Sequence, residues 1–222
     1  MRGDMAEDLL ANSEFFAEVD EDLRAQIAAL GQRRRMVRGD VLFAEGDDPS
    51  ELFIVLEGRV AIANRSIDGR ESVLALMEAG DLFGEMAMLD GQPRSAEARA
   101  LEPSIVLAIP YAPVQQMFEQ QPRLLWGVVR MLSRRLRAMD EALADSVFLD
   151  VTGRTAKRLL ELAAGSDEFL LPVTQEELAG MVGASRERVN KAIASFIRLG
   201  WLAQHDRRYK ILQRDRLELR AR

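Results

Sequence analysis

The stretch Thr174-Gln-Glu-Glu-Leu-Ala-Gly-Met-Val-Gly-Ala-Ser-Arg-Glu-Arg-Val-Asn-Lys-Ala-Ile-Ala-Ser-Phe-Ile-Arg198 predicts two helices joined by a tight turn. Thr174 and Glu177 have the spacing of a capping box, in which each side chain accepts a hydrogen bond from the other residue's backbone amide. Gly183 suits the left-handed position that ends the first helix, and Ser185 is a good N-cap for the second. The pattern is that of a helix-turn-helix.

The second helix, residues 186–198, has one apolar and one polar face. Its predicted buried residues are Val189, Ile193, Phe196 and Ile197. The polar residues of its first turns are Arg186, Glu187, Arg188, Asn190 and Lys191. A recognition helix presents such N-terminal residues to the major groove, where Arg and Lys donate to guanine and Glu accepts from cytosine. The spacing predicts a DNA-reading helix, although a helical hairpin with a solvated charged face has the same pattern.

The residues after this helix predict a wing. Trp201–Ala203 and Tyr209–Leu212 read as two short strands around residues 204–208, with Arg207 and Arg208 at the tip as phosphate contacts. Charge supports this placement of a polyanion. Residues 1–149 hold 16 Arg/Lys and 26 Asp/Glu, a net of −10, whereas residues 150–222 hold 14 and 10, a net of +4. The overall charge of −6 therefore hides a basic C-terminal third.

The first half of the chain alternates short apolar segments with turn signals. The apolar segments are Val41–Phe43, Leu52–Leu56, Arg59–Ala63, Ser72–Met77 and Ile105–Ile109. The turn signals are Glu45–Pro49, Glu57–Gly58, Asp68–Gly69, Ala79–Asp81 and Asp90–Pro93. This spacing predicts the hairpins of a small antiparallel sandwich or barrel. Residues 7–30, before it, are predicted to be helical in part.

A long helix is predicted from Pro122 to about Val147. Its apolar residues recur at steps of three and four: Leu125, Val129, Leu132, Leu136, Met139, Leu143 and Val147. A narrow seam flanked by charge is typical of pairing with the same helix of a second copy. Burial against the chain's own barrel is the alternative. We therefore expect three parts, with residues 1–120 as the barrel domain, 121–149 as the dimerisation helix and 150–222 as the helix-turn-helix domain.

Missing residue types exclude several functions. The chain has no Cys and one His, His205, which excludes disulfides, thiolate zinc sites and multi-histidine metal sites. A Ser-His-Asp site is excluded everywhere except around His205. We expect no enzyme, and we assign no catalytic or metal-binding residue. No apolar run reaches the roughly 18–20 residues that span a bilayer, and residues 1–10 lack a signal-peptide core, so no membrane partner and a cytoplasmic location are expected.

Three motifs together resemble the CRP/FNR family, which is named for the cyclic-AMP receptor protein. Val182–Lys191 resembles its DNA-reading motif and Phe148–Arg154 its hinge. Phe83–Met86 with Gln92–Ala96 resembles its phosphate-binding cassette. The resemblance implies an α+β chain with an N-terminal β jelly-roll that binds cyclic nucleotides, a dimerisation helix and a C-terminal winged helix-turn-helix. It also implies a homodimer whose partners are double-stranded DNA and RNA polymerase.

The resemblance places Arg186, Glu187 and Lys191 at the family's base-reading positions. Lys191 stands where the family usually has Arg, so the charge is kept but the planar guanidinium that binds guanine in a bidentate way is lost. Arg186 and Glu187 match members that read TGTGA-like half-sites. The candidate DNA contacts are Thr174, Ser185, Arg186, Glu187, Arg188, Asn190, Lys191, Arg207 and Arg208.

The cassette has the chemistry of an anion cradle. Gly84 begins a short helical segment whose amides attract phosphate, Arg94 offers a charge-assisted fork, Ser95 adds a hydroxyl and an amide, and Glu85 suits a ribose 2′-hydroxyl. An ordinary loop would have the same residues. The candidate nucleotide contacts are Gly84, Glu85, Met86, Arg94, Ser95, Ala96, Met139 and Asp140. No prosthetic group is expected, and the expected effector is cAMP or cGMP.

Two positions depart from the family pattern. Met139 and Asp140 stand where cyclic-AMP receptors have a Thr-Ser pair that contacts adenine. Guanine offers two adjacent N–H donors that match a carboxylate, so Asp140 favours cGMP beside or above cAMP, unless it only caps or solvates the helix. The lack of Cys excludes an iron–sulfur sensor of the FNR type, and a lone wing histidine excludes the heme sensors that use a histidine ligand in the sensor domain. A cyclic nucleotide, another small anion or no ligand remains.

Two rival functions stay open beside a nucleotide-controlled regulator. One is a DNA-binding regulator that needs no ligand and has a vestigial pocket. The other is a nucleotide-regulated enzyme or channel subunit, against which the missing catalytic residues and the missing transmembrane segment argue.

Overall fold

The computed structural model describes residues 9–11, 13–65 and 71–222. The helices in these ranges are α1 (Glu21–Leu30), α2 (Met86–Asp90), α3 (Tyr111–Gln120), α4 (Leu125–Phe148), α5 (Val151–Ala163), α6 (Gln175–Val182), α7 (Arg186–Arg198) and α8 (Arg214–Arg220). Short 3₁₀ turns cover Glu14–Phe16 and Pro122–Leu124. The predicted turn at Asp68–Gly69 and the first residues of the predicted N-terminal helical region lie outside the described residues.

Eleven strands are described in the same ranges. The first eight are β1 (Gln32–Met36), β2 (Val41–Phe43), β3 (Glu51–Glu57), β4 (Val60–Arg65), β5 (Glu71–Met77), β6 (Leu82–Phe83), β7 (Glu97–Ala100) and β8 (Ser104–Pro110). The last three are β9 (Glu168–Leu170), β10 (Leu202–His205) and β11 (Arg208–Ile211).

The first eight strands form two four-stranded sheets, in the orders β1-β8-β3-β6 and β2-β7-β4-β5. Central strand β3 is buried on both faces, which explains its unbroken apolar sequence. Leu52 and Ile54 pack against the helices, while Phe53 and Val55 point into the space between the sheets. The predicted jelly-roll is confirmed, and all five predicted apolar segments form strands.

Strands β1, β6 and β7 were not predicted, because β1 is mostly charged, β6 has only two residues and the buried positions of β7 are alanines. Strand β1 reads Gln-Arg-Arg-Arg-Met and lies at a sheet edge, where charged side chains are common because they discourage pairing with other chains. Strand β7 alternates Glu97 and Arg99 with the buried Ala98 and Ala100. Alanine fills the narrow interior there, and it is a weak strand signal.

The long helix α4 begins after Pro122, as predicted, and has two different faces. Near its start Gly127, Val128 and Met131 are buried, and the latter two join the core that contains Phe15 and Phe118. The seam residues form the other face, and Leu136, Met139 and Leu143 are 60%, 69% and 65% exposed. For the seam residues in the same unit as the barrel, which are Leu125, Val129, Leu132 and Leu136, the alternative of burial against the barrel is therefore wrong.

The described residues group into two compact units, and the division along α4 falls between Arg137 and Ala138. The last turns of α4 belong with the C-terminal unit because Lys157 of α5 bonds Glu141 at 2.7 Å and Asp145 at 2.6 Å. The predicted domain boundary at residue 150 thus lies after the division between the two compact units at residues 137 and 138, and it stays a prediction. No helix in the described ranges is both long and apolar enough to cross a membrane.

The C-terminal unit combines α5 to α8 with a three-stranded sheet in the order β10-β11-β9. The residues after the hinge motif predict a helix over residues 154–164 and a short strand over residues 170–173, and both predictions are wrong in their boundaries. Helix α5 starts at Val151, because Asp150 caps it by accepting from the Gly153 amide at 2.8 Å. Strand β9 starts at Glu168 and ends at Leu170.

Candidate DNA-binding and ligand-binding sites

The helix-turn-helix forms as its local sequence predicts. Thr174 and Glu177 make the reciprocal capping box at the start of α6. Gly183 ends α6 with φ at 67°, in the left-handed region that favours glycine. Ser185 caps α7 by accepting from the Arg188 amide at 3.4 Å. These caps leave the hydroxyl protons of Thr174 and Ser185 available as donors.

One face of α7 packs inward and the other is exposed. Val189, Ile193 and Phe196 are buried as predicted, but Ile197 is exposed and its predicted burial is wrong. The polar residues Arg186, Glu187, Arg188, Asn190 and Lys191 are all exposed. Polar groups of both signs therefore stand free along the first turns of the helix, which is what contact with base edges requires.

Glu187 and Lys191 form an ion pair at 2.6 Å along this exposed face. The hydrogen bond from Lys191 lowers the pKa of Glu187, so its carboxylate stays ionised and remains an acceptor at neutral pH. The i,i+4 spacing was a signal that could have predicted this pair.

The predicted wing forms, but only one of the two arginines predicted at its tip lies there. Strand β10 extends to His205 and β11 begins at Arg208, so the turn consists of Asp206 and Arg207. The prediction that Arg208 lies at the tip is wrong, since it is an exposed strand residue. Arg207 is at the tip, but its guanidinium donates to the Leu171 carbonyl at 2.9 Å. That bond fixes the wing to the chain before α6 and leaves other donors of Arg207 for an anion.

A cleft of about 270 Å³ beside α7 was not predicted. It is lined by Asp150, Val151, Thr152, Arg188, Lys191, Ala192 and Ser195. The first turn of α5 and two cations of α7 meet there. The two cations attract anions, whereas the Asp150 carboxylate, which already accepts from the Gly153 amide, opposes them. The signal was hidden because the two sets of residues lie about 40 positions apart.

In the barrel, Arg94 is buried and faces inward. Its guanidinium donates to the Gly84 carbonyl at 2.7 Å, to the Tyr111 hydroxyl at 2.8 Å and to the Glu51 carbonyl at 2.6 Å. It also lies over the Phe43 ring, 4.2 Å from its centre. The structure thus brings Arg94 and Gly84 together, as the cassette prediction requires. The three internal partners were not predictable from the motif.

Glu85 is 1% exposed and pairs with Arg135 of α4. Burial raises the pKa of Glu85, and the nearby Arg135 charge opposes that effect. Arg135 also donates to the Leu82 carbonyl. Sequence reasoning missed Arg135, because fifty positions separate it from Glu85 and no local pattern links them.

Two buried polar atoms of these residues lack a partner among the described residues: Oε2 of Glu85 and Nε of Arg94. One is an acceptor and the other a donor. Orphaned buried groups are uncommon, since each costs about 1–3 kcal/mol. Both belong to residues predicted to hold the ribose and the phosphate of a nucleotide, so a polar ligand that supplies a hydroxyl and an anionic oxygen fits them.

The remaining predicted nucleotide contacts fall into two groups. Ser95 and Met86 are exposed neighbours, with the hydroxyl 3.9 Å from the thioether sulfur, and Ala96 is buried. They lie in the same unit as Gly84 and Arg94. Met139 and Asp140 are exposed residues of α4 that belong to the C-terminal unit.

Comparison with known proteins matches both halves of the chain. Residues 33–121 match the cyclic nucleotide-binding domain, and residues 153–220 match the Crp-like helix-turn-helix domain. A CRP-like cAMP-activated global transcriptional regulator of Mycobacterium tuberculosis is 35% identical over 97% of this chain and 100% of its own length. The cAMP-activated global transcriptional regulator Vfr of Pseudomonas aeruginosa is 32% identical over 76% of this chain and 83% of its own.

A solved structure agrees with these matches. The c-di-GMP responsive global regulator CLP of Xanthomonas campestris aligns with a TM-score of 0.76 and 27% identity, covering 86% of this chain and 99% of that one. The two matched domains, the order of these domains and the length of the alignments all agree with the same family. The chain belongs to the CRP-like family of DNA-binding transcription regulators with a cyclic nucleotide-binding domain.

Proposed function

We propose that this protein is a dimeric regulator whose binding to palindromic DNA is controlled by a cyclic nucleotide in the barrel. The observation that carries the nucleotide control is the pair of orphaned atoms, Oε2 of Glu85 and Nε of Arg94. They are an unpaired acceptor and an unpaired donor on the two residues that the family resemblance assigns to ribose and phosphate. The DNA-binding half rests on the exposed polar face of α7.

Arg186, Glu187 and Lys191 are proposed to read bases. Arg186 is an exposed fork that matches guanine, and Glu187 is an ionised acceptor that matches cytosine. Lys191 donates as a point charge, and to reach a base it must share its proton donors with Glu187. We expect TGTGA-like half-sites, with weaker discrimination at the position that Lys191 reads than an Arg would give.

Phosphate contacts are proposed around these bases. Thr174, Ser185, Arg188 and Asn190 are the proposed phosphate contacts of the helix-turn-helix, and Arg188 also lines the cleft at the start of α5. Arg207 and Arg208 contribute from the wing, Arg207 with the donors that the Leu171 carbonyl leaves free.

Pairing of two copies is proposed along the exposed seam of α4. Seven apolar side chains at steps of three and four stand exposed: Leu125, Val129, Leu132, Leu136, Met139, Leu143 and Val147. Such a stripe is costly in water and is typical of a coiled-coil partner. Two copies related by a two-fold axis would present two α7 helices to half-sites one DNA turn apart, roughly 34 Å.

The proposed link between nucleotide and DNA is helix α4. Arg135 of this helix holds Glu85, so a nucleotide that bonds Glu85 changes a contact of the helix on which the dimer seam lies. Nucleotide binding would then shift the balance between two arrangements of α4 and the helix-turn-helix. It can shift that balance only by its difference in affinity for the two.

The identity of the base is proposed to depend on Asp140. Relatives are named for activation by cAMP, and the family pattern places Asp140 at a base-contacting position. A carboxylate there accepts from adjacent N–H donors of guanine, so we expect cGMP to bind as well as or better than cAMP. Calorimetry with both nucleotides tests this. Tenfold tighter binding of cAMP that Asp140→Ala leaves unchanged would contradict it.

A regulator that needs no ligand is the second candidate. The observation that favours it is the set of internal bonds from Nη1 and Nη2 of Arg94 to Gly84, Tyr111 and Glu51, which holds these two nitrogens without an anion and leaves Nε unpaired. The two candidates differ in whether a nucleotide changes the affinity for DNA. In both, contact with RNA polymerase in the cytoplasm is part of the proposal, because a regulator of this family acts where transcription occurs.

Fluorescence anisotropy of a labelled TGTGA-type palindrome tests the proposal. The duplex is titrated with protein alone, with cAMP and with cGMP, beside a scrambled duplex as control. We expect at least one nucleotide to tighten binding tenfold or more on the palindrome only. Tight binding that no nucleotide changes would support the ligand-independent candidate. A selected palindrome unrelated to TGTGA would contradict the half-site assignment.

A further inference from the structure

The junction between α4 and α5 is short and tightly bonded. Helix α4 ends at Phe148 and α5 begins at Val151, so only Leu149 and Asp150 connect them. Leu149 is buried, and Asp150 caps α5 through the Gly153 amide. A change in the angle between the two helices must therefore pass through the backbone of these two residues.

The C-terminal helix α8 contacts this junction directly. Arg220 donates to both carboxylate oxygens of Asp150. A Cβ added to Gly153 would lie 3.0 Å from Nη1 of Arg220 and 3.0 Å from its carbonyl oxygen. Leu217, one turn earlier in α8, is fully buried. Helix α8 is thus anchored by its apolar side chain and touches the first turn of α5 with its last residue.

Further bonds tie the same junction to α4 and to α6. Lys157 of α5 bonds Glu141 and Asp145 in the last turns of α4. Arg154 donates to the Leu149 carbonyl at 2.7 Å and to the Val182 carbonyl, at the end of α6, at 2.9 Å. The junction is therefore held from three sides, by α4, by α6 and by α8.

We propose that α8 is a regulatory clamp, in which Arg220 holds Asp150 and so sets the conformation of the α4–α5 junction. This inference rests on the proposed function, because the signal that it regulates is the one from nucleotide to DNA. Releasing Arg220 loosens the first turn of α5. The junction then transmits less of a change in α4 to the helix-turn-helix. Less of the effect of the nucleotide reaches α7.

The Asp150–Arg220 pair suits regulation better than stability. The side chains of Asp150 and Arg220 are 63% and 33% exposed, and exposed ion pairs add little to the stability of a fold. Nη2 of Arg220 contacts both oxygens of Asp150, and one of these oxygens also accepts from the Gly153 amide, so the pair acts directly on the cap of α5. It can break while Leu217 stays buried and α8 stays in place.

Hydrogen exchange on the full-length protein tests the clamp itself. The variants are Arg220→Ala, Asp150→Ser, which keeps a capping oxygen for Gly153, and Arg216→Ala, an exposed arginine of the same helix. We expect the amides of Gly153 and Arg154, which both bond to Asp150, to exchange at least fivefold faster in Arg220→Ala and Asp150→Ser, with α7 unchanged and Arg216→Ala like the wild type. Wild-type exchange in Arg220→Ala would overturn the clamp.

Operator binding with and without nucleotide tests its regulatory role. We expect the ratio of the two DNA affinities to fall at least threefold in Arg220→Ala and in Asp150→Ser. The double variant should fall no further than either, because one pair is lost in all three. An unchanged ratio alongside faster exchange would overturn the regulatory role. A wild-type protein that ignores every nucleotide would instead contradict the proposed function, and exchange at Gly153 and Arg154 would still decide whether Arg220 holds the junction.

Discussion

The DNA-reading helix and the proposed nucleotide site of the barrel present their functional groups in opposite ways. On α7 the residues Arg186, Glu187 and Asn190 are exposed, with only a surface ion pair from Glu187 to Lys191. In the barrel, Arg94 and Glu85 are buried and bonded to other parts of the chain. The first surface is ready for a partner. The second offers only the unpaired Nε of Arg94 and Oε2 of Glu85, and Nη1 and Nη2 of Arg94 must exchange internal bonds before they bind an anion.

This difference has an energetic consequence. Arg186 loses only water when it meets a base, so its contribution depends on the contact that it makes. A ligand of Arg94 must offer enough to replace hydrogen bonds to Gly84, Tyr111 or Glu51, each of which costs about 1–3 kcal/mol when left unmade. The exchange makes the proposed nucleotide site selective for strong acceptors, and an anionic phosphate is one.

The most severe variant is expected to be one that prevents two copies from pairing through α4. Leu136→Glu with Leu143→Glu puts four charges into the paired seam of a dimer, and we expect light scattering to give the mass of a single chain. Operator affinity should fall at least a thousandfold, because two half-sites are then bound independently. The matched control is Arg137→Glu, a charged position beside the seam. A double variant with the mass of two chains would contradict pairing through α4.

The next largest change is expected in nucleotide affinity, when Arg94 of the barrel is replaced. Arg94→Ala removes a fork proposed to hold phosphate with charge-assisted bonds of about 1.5–3 kcal/mol each, so calorimetry should show nucleotide affinity at least a hundredfold lower. Thermal stability should also fall, since buried acceptors lose their donor. Arg94→Lys keeps the charge without the fork and should bind with an intermediate affinity. Arg123→Ala, an exposed arginine of the same unit, is the control. Near-normal affinity in Arg94→Ala would remove the phosphate assignment.

On the DNA side a single change should act on binding alone. Arg186→Ala should weaken operator binding by about 1–3 kcal/mol, roughly 10–150-fold, and relax specificity at one base pair. Because Arg186 is exposed and makes no buried contact, the thermal midpoint should not move. Arg216→Ala serves as the control. Equal losses on operator and scrambled duplex would show that Arg186 contacts phosphate rather than a base.

The smallest expected effect is a pH dependence. Burial raises the pKa of Glu85, so acid protonates it at a higher pH than an exposed Glu, and nucleotide affinity should fall severalfold as the pH drops through that raised pKa. The stability effect has the opposite sign, because a raised pKa adds stability below the unfolded value that is lost as the pH rises. Glu85→Gln should remove the pH dependence of affinity. If Glu85→Gln kept the wild-type pH dependence of nucleotide affinity, that dependence would have to come from another group.

The same contrast explains what the sequence could predict. The helix-turn-helix depends on neighbours within a few positions, namely the Thr174–Glu177 capping box, Gly183 and the Ser185 cap, and all three were predicted and confirmed. The seam of α4 was predicted for the same reason, since a helix repeats every few residues. The cassette was recognised only through the family motif.

The long-range contacts could not be predicted. The partners Glu85 and Arg135 are fifty positions apart, and those in the Asp150–Arg220 pair are seventy apart. No periodicity links such residues, because the fold rather than local geometry brings them together. The inward direction of Arg94 was not predicted either. A motif identifies the residue that binds a ligand, but it does not identify the protein groups that bond this residue when no ligand is bound.

In the proposed mechanism, one free energy couples the barrel to the DNA-reading helix. Thermodynamic linkage makes this coupling reciprocal. Calorimetry therefore measures the nucleotide Kd of the protein alone and of the protein saturated with operator duplex. We predict that operator DNA tightens nucleotide binding by the same factor by which the nucleotide tightens DNA binding. A nucleotide Kd that operator DNA leaves unchanged would contradict this mechanism.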